Sequence, residues 1–289
     1  MGIAVQSLNQ QYQVYRQVIG QVLKDSEKLP SLPSVTLKIR RAISSENTTI
    51  EQLAELISKD AALSTLLLKA ASSPIYRRAV TPKTLPEVIG LLGFSSVNSL
   101  VMLHSVRSVM VLRSPSVKKL FAQTWRRLVV KMSVAGFLAK QLKSVSVDEA
   151  QMASMLTEVG ALAVLSALLE LDAAPDSDTY VSLCRNYSKS LGSILLQKWN
   201  VDQQYIDVAK RCGDWADTDG VSVGLLDVVN LSIYYAVKFT NKSASLPAIG
   251  ELAVYKKLLP EQRRCKHPDW LDVIFDNKAD IQALVESFR

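Results

Sequence analysis

Apolar residues recur at helical spacing through almost the whole chain. In the first such segment, residues 7–27, Tyr15, Val18, Ile19 and Val22 fall on one face of a helix with 3.6 residues per turn. Strict alternation of apolar and polar residues, which is typical of strands, is scarce. The sequence therefore predicts an all-α fold.

Prolines and capping patterns divide the chain into separate helices. The segment LPSLP at 29–33 carries two prolines, which the interior of a helix does not accommodate. Capping boxes, in which two side chains satisfy backbone amides at a helix start, are predicted from Thr48 to Glu51 and from Ser146 to Glu149. The principal predicted helices cover about 34–45, 86–93, 96–112, 116–142, 147–170, 177–199, 202–212 and 222–240.

Length and composition limit the class of protein. The chain has 289 residues, of which 48% are apolar and 21% charged, as in ordinary globular proteins. The longest apolar run, at 159–169, is well short of the roughly 20 residues that a membrane-spanning helix needs, and the N-terminus lacks the pattern of a secretory signal. Cys184, Cys212 and Cys265 are an odd number of widely spaced cysteines, so we expect a reducing compartment and a cytoplasmic protein with no membrane partner.

The net positive charge is compatible with an acidic partner but does not identify that partner. The formal net charge is +7, and basic residues occur in small groups such as 38–41, 126–127 and 263–266. Many nucleic-acid binders instead gather basic and aromatic residues along one element. We therefore predict solvated helix faces with a mild basic excess, and nucleic acid stays open as a less favoured partner.

Other candidate sites are weak. A histidine on a helix, such as His104, most often forms one hydrogen bond or faces solvent. Cys265 and His267 form half of a zinc pattern without the second pair. The acidic loop 214–220 resembles half of a calcium loop but lacks the closing glutamate. No metal or cofactor is expected at these places.

Three segments in a fixed order resemble a known family. LPSLPSVTLKIRRAI, IEQLAELISKDAALSTLLLKAASSPIY and TLPEVIGLLGFSSVNSLV are similar to the opening half of the HDOD domain, the HD-related output domain of bacterial signalling proteins. The resemblance continues to about residue 240. The family's pattern falls on Asp60, Ala71, Ser72, Ser73, Tyr76, Leu92 and Gly93, with Ser72 in place of an asparagine.

This resemblance implies a domain organisation. We expect an HD-like bundle of many helices that carries an N-terminal helical lobe. The HDOD domain would cover 28–240, with the N-terminal lobe at 28–114 and the HD-like lobe at 115–240. An N-terminal helix at 1–27 would precede it, and a helical extension at 241–289 would follow it.

The resemblance also implies the remains of a metal site. Metal-dependent HD phosphohydrolases share this scaffold, and their histidine and aspartate ligands correspond here to Arg127, Thr157, Glu158 and Ile233. An arginine would repel a metal ion, threonine is a poor ligand while neutral, and isoleucine has no lone pair, so Glu158 alone cannot hold the ion. We therefore expect a degenerate site without metal or cofactor, in which Glu158 pairs with Arg127.

The function that follows is a binding function. We expect a non-catalytic regulatory module that binds a protein or another macromolecule in bacterial signal transduction, most readily another signalling protein. The cleft between the lobes and one loop are expected to bind the partner, and the loop residues are Ser72, Ser73, Tyr76, Arg77 and Arg78, whose arginines can grip acidic groups. Two alternatives stay open, a residual metal-dependent phosphohydrolase and a nucleic-acid-binding regulator.

Overall fold

The chain is built from helices and turns. The computed structural model describes residues 2–73, 76, 82–109, 115–169, 175–240 and 246–288, with side chains from residue 12 onward except that of Ser26. These residues contain no β-strand, only an isolated bridge between His267 and Trp270. The predicted all-α class is confirmed.

The helices follow one another with mostly short connections. In chain order they are α1 (Gly2–Lys24), α2 (Ser34–Ile43), α3 (Ile50–Ser58), α4 (Ala61–Ala71), α5 (Leu85–Ser108), α6 (Pro115–Leu142), α7 (Val147–Leu156), α8 (Val159–Ala167), α9 (Ser177–Lys198), α10 (Gln203–Arg211), α11 (Leu225–Thr240), α12 (Asp272–Phe275) and α13 (Lys278–Ser287). Short 3₁₀ helices lie at Ser26–Lys28, Ile249–Glu251 and Ala253–Lys257.

One predicted capping box is confirmed and the other lies one residue later. At the start of α7, Glu149 N donates to Ser146 Oγ over 3.1 Å, and Ser146 N donates to Glu149 Oε2 over 3.3 Å. The box predicted from Thr48 to Glu51 is wrong, because Thr49 and Gln52 form it at the start of α3. The amide of Thr48 is already used in a turn, where it donates to the carbonyl of Ser45.

The predicted break at Gly93 is confirmed. Gly93 has φ 77° and ψ 162° inside α5, a left-handed conformation that glycine adopts without steric cost. The two parts of α5 therefore run in different directions, and the second part ends at Ser108.

The single helix predicted over 147–170 is wrong. The chain forms α7 and α8, separated by a turn at Thr157 and Glu158. The apolar pattern continues through this turn because the helices on both sides are buried, so hydrophobicity alone does not mark the break.

Two segments are long and apolar enough to cross a membrane by length and composition. They are Leu85–Ser108 and Val147–Ala167, and 61% and 83% of their most apolar windows are buried inside the protein. The first is kinked at Gly93 and the second is interrupted at Thr157. Buried core helices pass the same test, so this is weak support for a membrane span.

The chain divides into two compact units. The first unit comprises 1–31, 109–128 and 156–210, and the second comprises 32–108, 129–155 and 211–289. In the first unit α8 packs along α9 and buries Val159, Ala163, Leu183 and Leu191. In the second unit α2, α3 and α4 pack on α5 and bury Ile39, Leu53, Leu67 and Ile89. The family domain boundaries given above stay a prediction.

Candidate functional site

The turn that carries Glu158 is fixed by a close approach of two helices. A Cβ atom added at Gly160, the second residue of α8, would overlap the backbone oxygen of Ser188 in α9. A Cβ at Gly192 would lie 3.0 Å from the Cα of Gly160. Because both positions are glycine, the backbones of α8 and α9 touch, and this contact holds Glu158 in place with 7% of its surface exposed.

Arg127 in α6 faces this carboxylate. Its Nη2 lies 3.5 Å from Glu158 Oε2, so the predicted pair is present as an ion pair. The distance is longer than the 2.7–2.9 Å or so of a strong charge-assisted hydrogen bond. The Arg127 side chain is 34% exposed and that of Glu158 is 9% exposed, so solvent reaches the cation more readily than the anion.

A chain of hydroxyl groups leads from Arg127 into the core of the first unit. Arg127 Nη2 donates to Thr124 Oγ1 over 3.3 Å, and Thr124 Oγ1 lies 3.1 Å from the hydroxyl of Tyr180. The Tyr180 hydroxyl in turn donates to the carbonyl of Ala161 over 2.8 Å. Since each group has an acceptor for its proton, the four residues form one directed network that joins α6, α8 and α9.

The cysteine beside this network is not suited to nucleophilic catalysis. Burial raises the pKa of Cys184 to about 12, and the nearby charge of Glu158 also raises it. The thiol is therefore protonated at neutral pH, whereas nucleophilic cysteines act as thiolates.

The residues at the predicted HD positions do not fit a metal ion. In the first unit they are Arg127, Thr157 and Glu158, which supply one carboxylate, one hydroxyl and a permanent positive charge. Ile233 lies on α11 in the second unit and offers no donor atom. Across the described ranges, no group of three histidine, cysteine, aspartate or glutamate side chains is arranged to hold a metal ion. No hydrolytic step through a metal follows from these residues.

The predicted partner-binding residues have different surroundings. Ser72 is exposed, Ser73 is 2% exposed, and Arg77 and Arg78 lie outside the described residues. Tyr76 is held inside the second unit.

Tyr76 is anchored to α7. Its hydroxyl lies 3.1 Å from both Asp148 Oδ1 and Gln151 Oε1, toward which it donates, and Ser96 Oγ donates to the same Asp148 oxygen over 2.6 Å. Burial, and secondarily the charge of Asp148, raise the pKa of Tyr76. These hydrogen bonds fix the chain after α4, and partner binding by Tyr76 stays a prediction.

A pocket lies beside Ser72. It has a volume of 580 Å³ and is lined by the C-terminal part of α4 and by α13, both in the second unit. Its lining residues are Leu68, Lys69, Ser72, Ser73, Ala283, Glu286 and Ser287. Leu68 is 44% exposed, so the pocket presents an apolar side chain between one basic and one acidic residue.

The remaining candidates from the sequence have structural partners. His104 Nε2 lies 2.8 Å from Asp60 Oδ2, and Asp60 caps α4 by accepting from Leu63 N over 2.9 Å. The His267 ring lies against Phe275 with 3.7 Å between centroids.

Side-chain cations contact the acidic loop 214–220. Arg211 binds Asp217 and Asp219 over 2.6 and 2.8 Å, and Lys257 donates to the carbonyls of Asp219 and Ser222. The sequence pattern missed Lys257 because it lies far downstream of the loop.

The pattern that defines the HDOD domain matches residues 29–213, more than half of the chain. The chain belongs to the HDOD family. The resemblance described from the sequence is thereby confirmed.

Solved HDOD and phosphohydrolase-like structures share this fold. A protein of Shewanella amazonensis, provisionally named a metal-dependent phosphohydrolase, matches with a TM-score of 0.73 and 21% identity over 95% of this chain and 98% of its own. An HDOD protein of Geobacter sulfurreducens with unknown function matches with a TM-score of 0.61 and 13% identity over 96% and 99%. At such identities the likeness extends to the fold, and the predicted HD-like bundle is confirmed.

A curated relative is longer than this chain. An uncharacterized protein of Treponema pallidum is 26% identical over an alignment of 201 positions that covers 64% of this chain and 37% of that protein. This HDOD chain therefore corresponds to little more than a third of that relative.

Proposed function

We propose that this chain is a non-catalytic HDOD module of the bacterial cytoplasm that acts in signal transduction by binding another signalling protein. The observation that carries the proposal is the ion pair between Arg127 and Glu158, 3.5 Å apart. A guanidinium beside the carboxylate supplies the positive charge that a divalent ion would otherwise supply.

The chemistry of the pair supports binding over hydrolysis. Metal-assisted hydrolysis needs several ligands that converge on one ion and an open position for the attacking water. The guanidinium of Arg127 repels a divalent cation and so opposes metal binding beside Glu158. The directed network from Thr124 to Ala161 then serves to hold α6, α8 and α9 together.

The pocket beside Ser72 is the proposed docking site for the partner. Leu68 provides an exposed apolar anchor, and Lys69 and Glu286 flank it with opposite charges. Protein interfaces commonly combine a small apolar centre with a polar rim. A segment of a signalling protein with an apolar side chain suits this arrangement.

Hydrolysis assays test the non-catalytic part. The full chain is incubated with generic phosphoesters and cyclic dinucleotides in added manganese or iron, beside Glu158→Ala. We expect no turnover by either protein. Turnover that Glu158→Ala abolishes would restore the phosphohydrolase alternative and overturn the proposal.

A pair of leucine variants tests the docking site. Leu68 and Leu37 are both exposed leucines of the second unit, at 44% and 38%, and only Leu68 lines the pocket. Once a candidate partner has been identified by cross-linking from Ser72, we expect Leu68→Glu to weaken its binding at least tenfold and Leu37→Glu to leave it unchanged. Equal binding by both variants would place the docking site elsewhere.

A further inference from the structure

A long part of the chain has no acidic residue. Residues 88–147 contain no aspartate or glutamate and nine lysines or arginines. The basic residues occur singly or in pairs, so they do not form an obvious basic cluster in the sequence. The informative feature is the missing acidic side chains, because no carboxylate nearby in the sequence is available to pair with these cations.

The first half of α6 concentrates this charge on one exposed face. Lys118, Lys119 and Arg126 are exposed and fall within an arc of about 100° around the helix axis, and Gln123 is exposed beside them. The opposite face, with Val117, Leu120, Thr124 and Leu128, is buried in the first unit. We name Lys118, Lys119, Gln123 and Arg126 the basic face of α6.

Among the described residues, no carboxylate pairs with the three cations of this face. In the part of the chain that the structure describes, no aspartate or glutamate lies within ion-pair distance of Lys118, Lys119 or Arg126. Some other exposed basic residues do have one, such as Lys59 with Glu55 at 3.3 Å. The basic face therefore offers unneutralised charge to an external anion.

We propose that the basic face of α6 binds the sugar-phosphate backbone of a nucleic acid. Lys118 and Arg126 are eight positions apart, or about 12 Å along the helix axis, a length over which one DNA strand presents three to four phosphates. The face also lies near the N-terminal end of a 28-residue helix with no acidic residue in its first turn, where the helix dipole favours an anion.

The composition of the face distinguishes a nucleic acid from other acidic partners. Its exposed side chains are basic or polar apart from the small Ala122, and none of the large exposed apolar residues of the described chain lies on α6. Protein interfaces depend on buried apolar or aromatic anchors, and membrane-surface helices insert apolar residues among the lipids. Phosphate contacts need only lysine, arginine and polar side chains.

This binding is independent of sequence and separate from the proposed docking of a protein. It uses the first unit, whereas the pocket beside Ser72 belongs to the second unit. Contacts to phosphates position a nucleic acid without reading its bases. The two surfaces would let one chain bind a protein and a nucleic acid.

Matched triple variants test the proposal. Lys118→Gln with Lys119→Gln and Arg126→Gln removes the basic face. Lys24→Gln with Lys28→Gln and Lys210→Gln changes three exposed lysines elsewhere in the first unit. Each variant lowers the formal net charge from +7 to +4. Binding of fluorescent single-stranded DNA, duplex DNA and RNA is followed by anisotropy at salt concentrations between about 50 and 200 mM. Affinity that depends on phosphate contacts changes strongly over this range.

We expect the full chain to bind a nucleic acid with an affinity that falls steeply with salt. Loss of the basic face should raise Kd about tenfold or more and reduce the salt slope by about three, one for each lost phosphate contact, while the control variant keeps the slope. Absence of binding, or equal weakening by both variants, would overturn the proposal. So would equally tight binding of polyglutamate or of anionic lipid vesicles, since the face would then accept any polyanion. Circular dichroism of both variants shows whether the fold is intact.

Discussion

Asp227 and Glu158 are both buried carboxylates that face a basic side chain, yet their surroundings differ. Asp227, in the second unit, accepts hydrogen bonds from Thr218 Oγ1 over 2.6 Å, from Gly224 N over 2.8 Å and from Lys257 Nζ over 2.8 Å. Its side chain is 1% exposed and that of Lys257 is 7% exposed. The carboxylate and the ammonium are thus removed from water together and closely paired.

Glu158, in the first unit, has a longer ion pair. Arg127 lies 3.5 Å away, and its side chain is 34% exposed. A pair whose function is purely structural gains from short, complete hydrogen bonds, as around Asp227. The pair between Arg127 and Glu158 is thus longer and more exposed to solvent than the pair between Lys257 and Asp227.

Breaking the Asp227 pair should have the largest effect. Lys257→Met leaves a buried carboxylate without its counter-charge, so we expect the free energy of unfolding to fall by about 3–5 kcal/mol. Chemical denaturation measures the change. The exposed neighbouring Lys256→Met is the control and should change stability by less than about 0.5 kcal/mol. A similar small loss in both variants would mean that solvent compensates Asp227.

Disturbing the contact that holds Glu158 should have the next largest effect. Gly160→Ala forces α8 away from α9 because its Cβ meets the Ser188 backbone, so we expect a loss of about 2–3 kcal/mol in denaturation experiments. Gly20→Ala in α1 has no atom within 4 Å of the new Cβ and should be neutral or stabilising. Tolerance of Gly160→Ala would show that the two backbones do not need to touch.

Removing the charge of Glu158 should lower the free energy of unfolding by less than removing the charge of Lys257. Glu158→Gln keeps the shape of the side chain, and Arg127 stays partly solvated, so we expect a loss of about 1 kcal/mol. The same denaturation measurement compares it with Asp227→Asn, for which we expect at least about twice that loss. Equal losses at the two sites would contradict the distinction drawn between them.

Replacing the capping carboxylate of Asp60 should cause the smallest loss of stability, and only at pH values where that carboxylate is ionised. Burial raises the pKa of Asp60. The hydrogen bond from Leu63 N and the neighbouring His104 together lower it by more than burial raises it, so the pKa lies below the usual 3.8. The stability from a lowered pKa is present above the usual value and is lost as pH falls through the folded-state pKa. Asp60→Asn keeps a capping oxygen, so its deficit at pH 6 should be below about 1 kcal/mol and should shrink as pH falls below the usual 3.8 and through the lowered pKa of Asp60. A deficit that persists in acid would exclude the carboxylate charge as its cause.

More of the fold than of the candidate site could be predicted from the sequence. Helical spacing and the glycine at 93 predicted the helices and the kink of α5, because these depend on local properties of the chain. The turn at Thr157 was missed, since it results from the packing of α8 on α9. The pairing of Arg127 with Glu158 was predicted from the family resemblance. The pairing of Lys257 with Asp227 was not predicted, because the two residues are 30 positions apart and no local sequence pattern connects them.

The most direct test of the account is the metal content of the purified protein. The full chain is prepared without chelators, equilibrated with manganese or iron, separated from free ions, and measured by elemental analysis beside Arg127→Gln and Glu158→Ala. Because Arg127 supplies the positive charge beside Glu158, we expect far less than one bound ion per chain in the unmodified protein. One ion per chain, lost in Glu158→Ala, would contradict the account and make this site a metal centre.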